Sequence, residues 1–157
     1  MPTKQFPKVV VGGFIRNDKG EVFLVKSHKW PGKWVVMGGH IGWGETIESA
    51  LIREVKEETE LDVAYDRVIE VVEFVNSKDF YKPTHIVALQ CECHLVGDQK
   101  PKLDGRELQE YRWFSLSDAL KLDNLLDVTR RTLTLLNWPR HPPSRSDLVG
   151  NAILTFG

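Results

Sequence analysis

Three glutamates stand close together in segment 54–58, at a spacing that suits a divalent cation. Glu54, Glu57 and Glu58 are three and four positions apart, so on an α-helix they project within an arc of roughly 100° and are surface neighbours. Like charges at this spacing repel by about 0.2–0.5 kcal/mol per pair in water. Oxygen-only ligands favour Mg²⁺, with Mn²⁺ as the alternative, over zinc. Taken alone, however, such a charged run is more often a solvated helix face.

The element that must carry these acids is a helix over residues 46–59. Thr46 is a residue type that caps a helix N-terminus. Ile47 and Ala50 fall on the same arc as the three glutamates, one or two turns earlier, so the acidic stripe continues an apolar one and should face a sheet. Lys56 points elsewhere and is not expected to neutralise it.

Strands are predicted on both sides of this helix, because short apolar or alternating runs are bounded there by turn residues. They cover residues 8–17, 21–26, 34–37, 63–74, 84–96 and 111–116. The first two are expected to form a hairpin, and the third to end at Gly38 and Gly39. In segment 84–96, one face should lie in the core and the other be partly open to solvent.

A second long helix is predicted over residues 125–136. Apolar or small side chains recur along it at the spacing of one buried face, which would consist of Leu125, Val128, Thr132, Leu135 and Leu136. Residues 139–157 are rich in proline and then apolar, which predicts a C-terminal arm that either packs on the domain or contacts a partner. This order of elements predicts an α+β fold with helices on the faces of a sheet.

Composition limits the function classes. The 157 residues suit a single domain over 1–157, and 21 Lys+Arg against 22 Asp+Glu give a net charge of −1, which does not favour a nucleic-acid polymer as partner. The longest apolar run, residues 9–15, is too short to span a membrane. Cys91 and Cys93 are too few for a disulfide framework and indicate buried strand residues in a cytoplasmic protein.

The longer pattern around the helix resembles the Nudix box, G-x5-E-x7-R-E-U-x-E-E-x-G-U, in which U is aliphatic. The matching positions are Gly39, Glu45, Arg53, Glu54, Val55, Glu57, Glu58 and Leu61, and Glu60 stands where the family usually has glycine. The resemblance to this MutT-like family covers most of residues 8–136. It implies a Nudix-type α/β/α sandwich with a mixed sheet between helices.

The resemblance also implies roles for individual residues. Glu54, Glu57 and Glu58, with a carbonyl of Gly38 or Gly39, resemble the family's metal ligands, and Glu45 with Arg53 resembles its structural ion pair. Glu54 is alternatively the residue that orients or deprotonates water. A further glutamate from a later loop is expected, with Glu107 the first candidate and Glu110 the second. The candidate catalytic residues are therefore Glu54, Glu57 and Glu107.

The activity implied is Mg²⁺-dependent hydrolysis of a pyrophosphate bond in a nucleoside triphosphate or an ADP-ribose-like nucleoside diphosphate derivative. The alternative is a catalytically silent Nudix-fold module that binds a nucleotide or a protein, and a homodimer stays open. Aromatic residues in a loop could stack on a base. The candidate substrate-binding residues are Lys26, His28, Lys33, Phe80 and Tyr81, with Trp30 and Trp43 as alternative aromatics.

Overall fold

The computed structural model describes residues 5–136, which form seven strands and three helices. The predicted arm at 139–157 lies outside the described residues. No helix within 5–136 has the length and apolar character needed to cross a membrane. The strands are β1 (Lys8–Arg16), β2 (Val22–Ser27), β3 (Trp34–Val35), β4 (Met37–His40), β5 (Val63–Val75), β6 (His85–Leu95) and β7 (Leu108–Phe114). The helices are α1 (Ile47–Thr59), α2 (Leu116–Leu120) and α3 (Asp127–Leu135).

The strands pair in one mixed sheet. Its order is β3-β2-β1-β6-β5, while β4 also pairs with β1 and β7 with β2. β1 and β6 run parallel, whereas β5 and β6 run antiparallel. β1 therefore lies at the centre, with β6 on one side and β4 on the other, and this brings the end of β4 next to the start of α1.

Both faces of the sheet are buried, each against a helix layer. In β2, Phe23 and Val25 join the apolar cluster that contains residues of α1, whereas Val22 and Leu24 join the cluster that contains Leu133 of α3. Because successive strand residues point to opposite faces, α1 and α3 cover opposite sides of the sheet. The predicted α+β sandwich, with a mixed sheet between helices, is confirmed.

Two details of the strand prediction need correction. The hairpin between β1 and β2 forms its turn, but only Arg16 and Val22 pair across it, because β1 pairs along its length with β4 and β6. Gly38 and Gly39 lie inside β4 and do not end a strand. The two faces of β6 do differ as expected, since one face is buried and the other is exposed or half-buried over its first three residues. The buried face consists of Ile86, Ala88, Gln90 and Glu92.

The first helix agrees closely with its prediction. Thr46 is its N-cap, and Thr46 and Ser49 form a reciprocal capping box, which satisfies backbone donors that a helix start leaves free. Lys56 turns away from the acidic stripe and pairs with Asp62 at 2.8 Å. At the other end, Glu60 has φ 58° and ψ 5°, so it adopts the left-handed conformation that glycine would adopt without strain.

The buried face of α3 matches the predicted one in part, since Leu125, Thr132 and Leu136 are buried and Val128 is half-buried. The helix begins only at Asp127, Leu135 is exposed, and Thr129 and Leu133 are buried although they were not predicted to be. The Thr132 hydroxyl donates to Glu70 of β5, so a polar contact holds this side of the helix to the sheet. Apolar spacing alone does not reveal such a contact.

Candidate active site

The acidic stripe of α1 meets the sheet at β4. A Cβ atom added to Gly39 would stand 2.2 Å from the Glu54 carboxylate, so the absence of a side chain at 39 makes room for this acid. One turn later Glu58 is buried, at 5% exposure, whereas the side chain of Glu57 is 58% exposed. Glu54 and Glu58 thus face the sheet, and Glu57 lies on the solvent side of the stripe.

Arg53 ties the loop before α1 to the helix. Its Nε and Nη2 donate to the two carboxylate oxygens of Glu45 at 2.6 and 2.8 Å, and Nη2 also donates to the carbonyl of His40 at 3.0 Å. The guanidinium of Arg53, and then the backbone N–H of Gly42, lower the pKa of Glu45 to about 2. The ion pair that the sequence suggested is present, and it closes the loop over residues 40–45.

The same guanidinium reaches two of the candidate metal ligands. Arg53 Nη1 donates to Glu54 at 2.9 Å and to Glu57 at 3.1 Å. The sequence analysis did not anticipate these contacts, although Glu57 is four positions after Arg53 and so is its neighbour on the helix surface. Arg53 therefore balances part of the charge on the exposed side of the stripe.

Among the described residues, no cationic side chain forms a hydrogen bond with Glu58. Its Oε2 atom is buried and has no hydrogen-bond partner. Burial first, then a hydrogen bond shared with Glu107 and the charges of Glu107 and Glu54, raise the pKa of Glu58 to about 9. A buried carboxyl oxygen without a donor is costly in a folded protein, so this position favours a positively charged ligand.

Backbone hydrogen bonds bring the later loop to the end of α1. The N–H of Lys102 donates to the carbonyl of Thr59 at 2.9 Å, and the N–H of Asp104 donates to the carbonyl of Glu58 at 3.0 Å. These bonds also satisfy carbonyls that the last turn of a helix leaves free. Glu107 follows at the start of β7, and its carboxylate faces Glu58.

Glu107, and not Glu110, lies at this site. Lys29 Nζ pairs with Glu107 Oε2 at 2.7 Å. Burial acts to raise the pKa of Glu107, but the hydrogen bond and charge of Lys29 outweigh it, so the net shift is downward. Glu110 pairs instead with Lys26 at 3.2 Å and does not line the cavity beside the carboxylates.

A cavity of about 160 Å³ opens next to Gly38, Gly39 and Glu107. One wall is aromatic, since Phe80 packs edge-on against Trp30 with ring centroids 4.7 Å apart. Tyr81 also lines the cavity, and Lys82 lies 5.0 Å from the centre of its ring. Of the predicted aromatics, Phe80, Tyr81 and Trp30 thus come together, whereas Trp43 is fully exposed and does not line the cavity.

The three predicted basic residues do not line this cavity. Lys26 pairs with Glu110 and lies over the ring of Trp34. Lys33 pairs with Asp79 at 3.7 Å, and His28 meets the edge of the Tyr81 ring. Each is held against a neighbour, which agrees with a structural role.

Other residues line the cavity that the sequence analysis did not select, namely Lys8, Lys29, His40, Lys82 and Gln90. Burial, and then the charges of Lys8 and Lys29, lower the pKa of His40. For Lys29 and Lys82, the only sequence signal was their position next to the predicted residues His28 and Tyr81. Gln90 gave no signal, since the sequence placed it only within a predicted strand.

The carboxylates offer the donor atoms that a hard divalent cation prefers, but their side chains are not arranged as a complete metal site. Within residues 5–136, no three His, Cys, Asp or Glu side chains are gathered closely enough to hold a metal ion. Glu54, Glu58 and Glu107 nevertheless offer oxygen atoms only, and one buried oxygen of Glu58 has no partner. Oxygen-only sets suit Mg²⁺ or Mn²⁺, so the donors present agree with such an ion.

Comparisons with known proteins agree with this architecture. The ADP-ribose pyrophosphatase of Methanocaldococcus jannaschii is 30% identical over 118 residues, which cover 74% of this chain and 66% of that protein. The nucleoside triphosphatase NudI of Escherichia coli is 29% identical over 140 residues, which cover 82% of this chain and 95% of that protein. The solved structure of the MutT protein from Methanosarcina mazei Go1 has a TM-score of 0.68 at 27% identity, covering 84% of this chain and 94% of that one.

Length differs among the relatives. The chain spans between 38% and 66% of the length of several curated relatives that it matches. The family model described as NUDIX domain, by contrast, matches residues 6–136 and so takes in the whole sheet, α1 with its glutamates and most of the described residues. This chain therefore belongs to the Nudix family.

Proposed function

We propose that this protein hydrolyses a pyrophosphate bond in a nucleotide, and that the acids of α1 bind the divalent cation that the reaction needs. The observation that carries the proposal is the buried, unpartnered carboxyl oxygen of Glu58 beside Glu54 and Glu107, the last of which lines a partly aromatic cavity. Hydrolases of the Nudix family generally use divalent cations. Mg²⁺ is our first choice and Mn²⁺ the alternative.

Glu54, Glu57 and Glu58, with a carbonyl of Gly38 or Gly39, are the residues that would hold the ion. When bound, such an ion supplies charge neutralisation of the diphosphate and lowers the pKa of a coordinated water. The protein positions two of these carboxylates, because Arg53 donates hydrogen bonds of 2.9 and 3.1 Å to Glu54 and Glu57. Arg53 and Glu45 act on the loop and the carboxylates, and neither is assigned a contact with the reacting phosphorus.

Glu107 and Glu54 are the two candidates for the group that takes a proton from the attacking water. Lys29 holds Glu107 in its ionised form, as a proton acceptor requires. Glu54 is also held by a cation, Arg53, but it lies against β4. The two are separable by experiment, because loss of the proton acceptor lowers kcat and removes the acidic limb of the pH profile.

The nucleoside is proposed to occupy the cavity. Tyr81 and Trp30 offer ring faces or edges to a base, and Lys8, Lys29 and Lys82 give the rim a positive charge that attracts phosphate. Both substrate classes stay in the proposal. One relative is named an ADP-ribose pyrophosphatase and another a nucleoside triphosphatase, at almost equal identity.

The proposed setting is the cytoplasm, with a small nucleotide and not a nucleic-acid polymer as partner. Both cysteines are free and buried, which agrees with a reducing compartment. A homodimer stays a prediction that light scattering would test.

A substrate panel tests the function. The protein is incubated with Mg²⁺ and nucleoside triphosphates, nucleoside diphosphate derivatives or dinucleotides, and released phosphate is detected after phosphatase treatment of the products. Turnover of at least one compound that stops with EDTA supports the proposal. No turnover of any of them, with Mg²⁺ or Mn²⁺, contradicts it and favours the silent binding module.

A further inference from the structure

The buried wall of the cavity contains a side-chain amide with no partner. Gln90 of β6 lines the cavity and is only 5% exposed. Its Oε1 atom is buried without a hydrogen bond, and the amide donates none to any residue within 5–136. By contrast, Ser27, another buried polar residue of the lining, accepts from the N–H of Lys29.

The neighbouring strands leave this amide unsatisfied. On one side, Gly12 of β1 is paired with Gln90, and a Cβ atom at position 12 would stand 2.3 Å from Oε1. On the other side is Glu70 of β5, whose two carboxylate oxygens are taken by Thr132 and Arg131 of α3. A glycine thus makes room for the amide, and the carboxylate of Glu70 on the neighbouring strand is engaged elsewhere.

Apolar side chains surround much of the amide. Ala88 and Ile86 precede it on the same face of β6 and are buried, and Val10 and the aromatic wall close the space. A buried polar group without a partner is destabilising unless a ligand supplies one. A site built to hydrogen-bond a ligand in an apolar setting rejects analogues that lack the matching group.

We propose that Gln90 is a specificity-determining residue that recognises the amino edge of an adenine base. The unpartnered oxygen requires a donor, and the amide nitrogen next to it requires an acceptor. Adenine presents an exocyclic amino group beside a ring nitrogen, and a glutamine amide pairs with that edge through two hydrogen bonds. This inference rests on the proposed function for the presence of a nucleotide, and it adds which base the cavity selects.

The test compares AMP with purine riboside 5′-monophosphate, which lacks only the amino group. AMP is the nucleotide product expected from both proposed substrate classes, and calorimetry measures its binding without any turnover. The parent protein should bind AMP roughly 10- to 100-fold more tightly than the analogue. The variant Gln90→Met, of similar length but apolar, should bind both equally weakly.

Two further variants complete the design. Gln109→Met makes the same change at an exposed position of β7 and should keep the full preference for AMP. Gly12→Ala keeps Gln90 but places a methyl group where its amide oxygen lies, so the preference should fall as it does in Gln90→Met. Melting temperatures without nucleotide verify folding, and Gln90→Met should be at least as stable as the parent because it removes a buried unpaired group.

The proposal is overturned if AMP does not bind, if the parent binds the two monophosphates equally, or if Gln90→Met keeps the preference. These outcomes are distinct from failure of the proposed function. If the protein binds AMP selectively through Gln90 but hydrolyses none of the compounds, the role of Gln90 is supported and the proposed hydrolase activity is contradicted.

Discussion

Two glutamates of the same motif, Glu45 and Glu58, have opposite surroundings. Glu45 lies in the loop before α1 and receives hydrogen bonds from Arg53 and from the N–H of Gly42 at 2.7 Å. Glu58 lies near the end of α1, buried, with one oxygen unpartnered and two carboxylates as neighbours. The pKa of Glu45 is accordingly lowered to about 2, and the pKa of Glu58 is raised.

This difference separates an acid whose partners the chain supplies from an acid that we propose binds a cation. Every interaction that Glu45 needs is supplied by the chain, so it stabilises the loop in the absence of any ligand. Glu58 has one buried oxygen without a hydrogen-bond donor. Such a group lowers the stability of the fold, and a bound cation would offset that cost. The following predictions test that contrast, and each compares variants of one helix or of the loop that precedes it.

The largest effect is expected for Glu57→Gln. The change keeps the size of a proposed metal ligand and removes its charge, so kcat/KM should fall by about 10²–10⁴, which is about 3–5 kcal/mol of transition-state stabilisation. Steady-state kinetics at several Mg²⁺ concentrations measures it. Glu57 is exposed and pairs with Arg53 at 3.1 Å, so the metal-free protein should change in stability by no more than about 0.5 kcal/mol.

Glu48→Gln is the matched control for this variant, since it makes the same change in the first turn of α1. It should retain nearly parental turnover. Addition of Mg²⁺ should raise the melting temperature of the parent and of Glu48→Gln more than that of Glu57→Gln. A folded Glu57→Gln protein with parental kcat/KM and an unchanged response to Mg²⁺ would refute the metal site.

Glu58→Gln should separate stability from activity. In EDTA the variant should be more stable than the parent by about 1–2 kcal/mol, because an unpartnered buried carboxyl group is replaced by a neutral amide. Urea unfolding measures this difference. Turnover with Mg²⁺ should fall at the same time, as is common where a functional site is kept at the expense of stability. A destabilised Glu58→Gln protein in EDTA would show that Glu58 is a structural acid after all.

Glu45→Gln should lower the stability of the folded protein, in contrast to Glu58→Gln, and the size of this loss should depend on pH. The folded protein holds the pKa of Glu45 near 2, below its ordinary 4.5, so its ion pair contributes stability above about pH 5 and loses it as the pH falls toward 2. The variant lacks this contribution at every pH. Thermal unfolding should therefore show a gap between parent and variant at pH 6 that narrows by pH 3. A gap that stays constant over this range would mean that the charge of Glu45 contributes nothing.

The smallest effect is expected for Glu60→Gly. Glu60 adopts φ 58°, a conformation in which glycine carries no Cβ penalty, so the variant should gain about 0.5–1 kcal/mol. Its ion pair with Lys102 at 3.3 Å is exposed on both sides and adds little. Urea unfolding should show the gain, while kcat should stay within about twofold. A large loss of turnover would show that the end of α1 shapes the site.

The acids of α1 were predictable because they lie within one helix. Helical geometry fixes the relation of Glu54, Glu57 and Glu58 from their spacing alone, and the cap at Thr46 is likewise local. The contacts of Arg53 with Glu54 and Glu57 were within reach of the same reasoning. The left-handed residue at Glu60 was left open, since its conformation depends on how the chain continues into β5.

The cavity was predicted less well because its walls come from separate segments. Phe80 and Tyr81 were predicted to stack on a base, with Trp30 and Trp43 as alternatives, and the structure brings Phe80, Tyr81 and Trp30 together in the cavity wall. Lys26 was assigned to the same place but faces Glu110, because β2 pairs with β7 in a register that the sequence does not reveal. Lys29, three residues later, is the lysine that reaches Glu107.

From the sequence by itself, short-range spacing predicted the helix that carries the acids, and the resemblance to the Nudix box implied the family and the ion pair of Glu45 with Arg53. Only the tertiary structure decided that Glu107 and not Glu110 meets Glu58, and that Gln90 lies unpartnered against Gly12. Those relations depend on which strands are neighbours and in which register. Strand pairing joins residues as far apart as 12 and 90, and the side-chain pattern of either strand alone does not specify its partner.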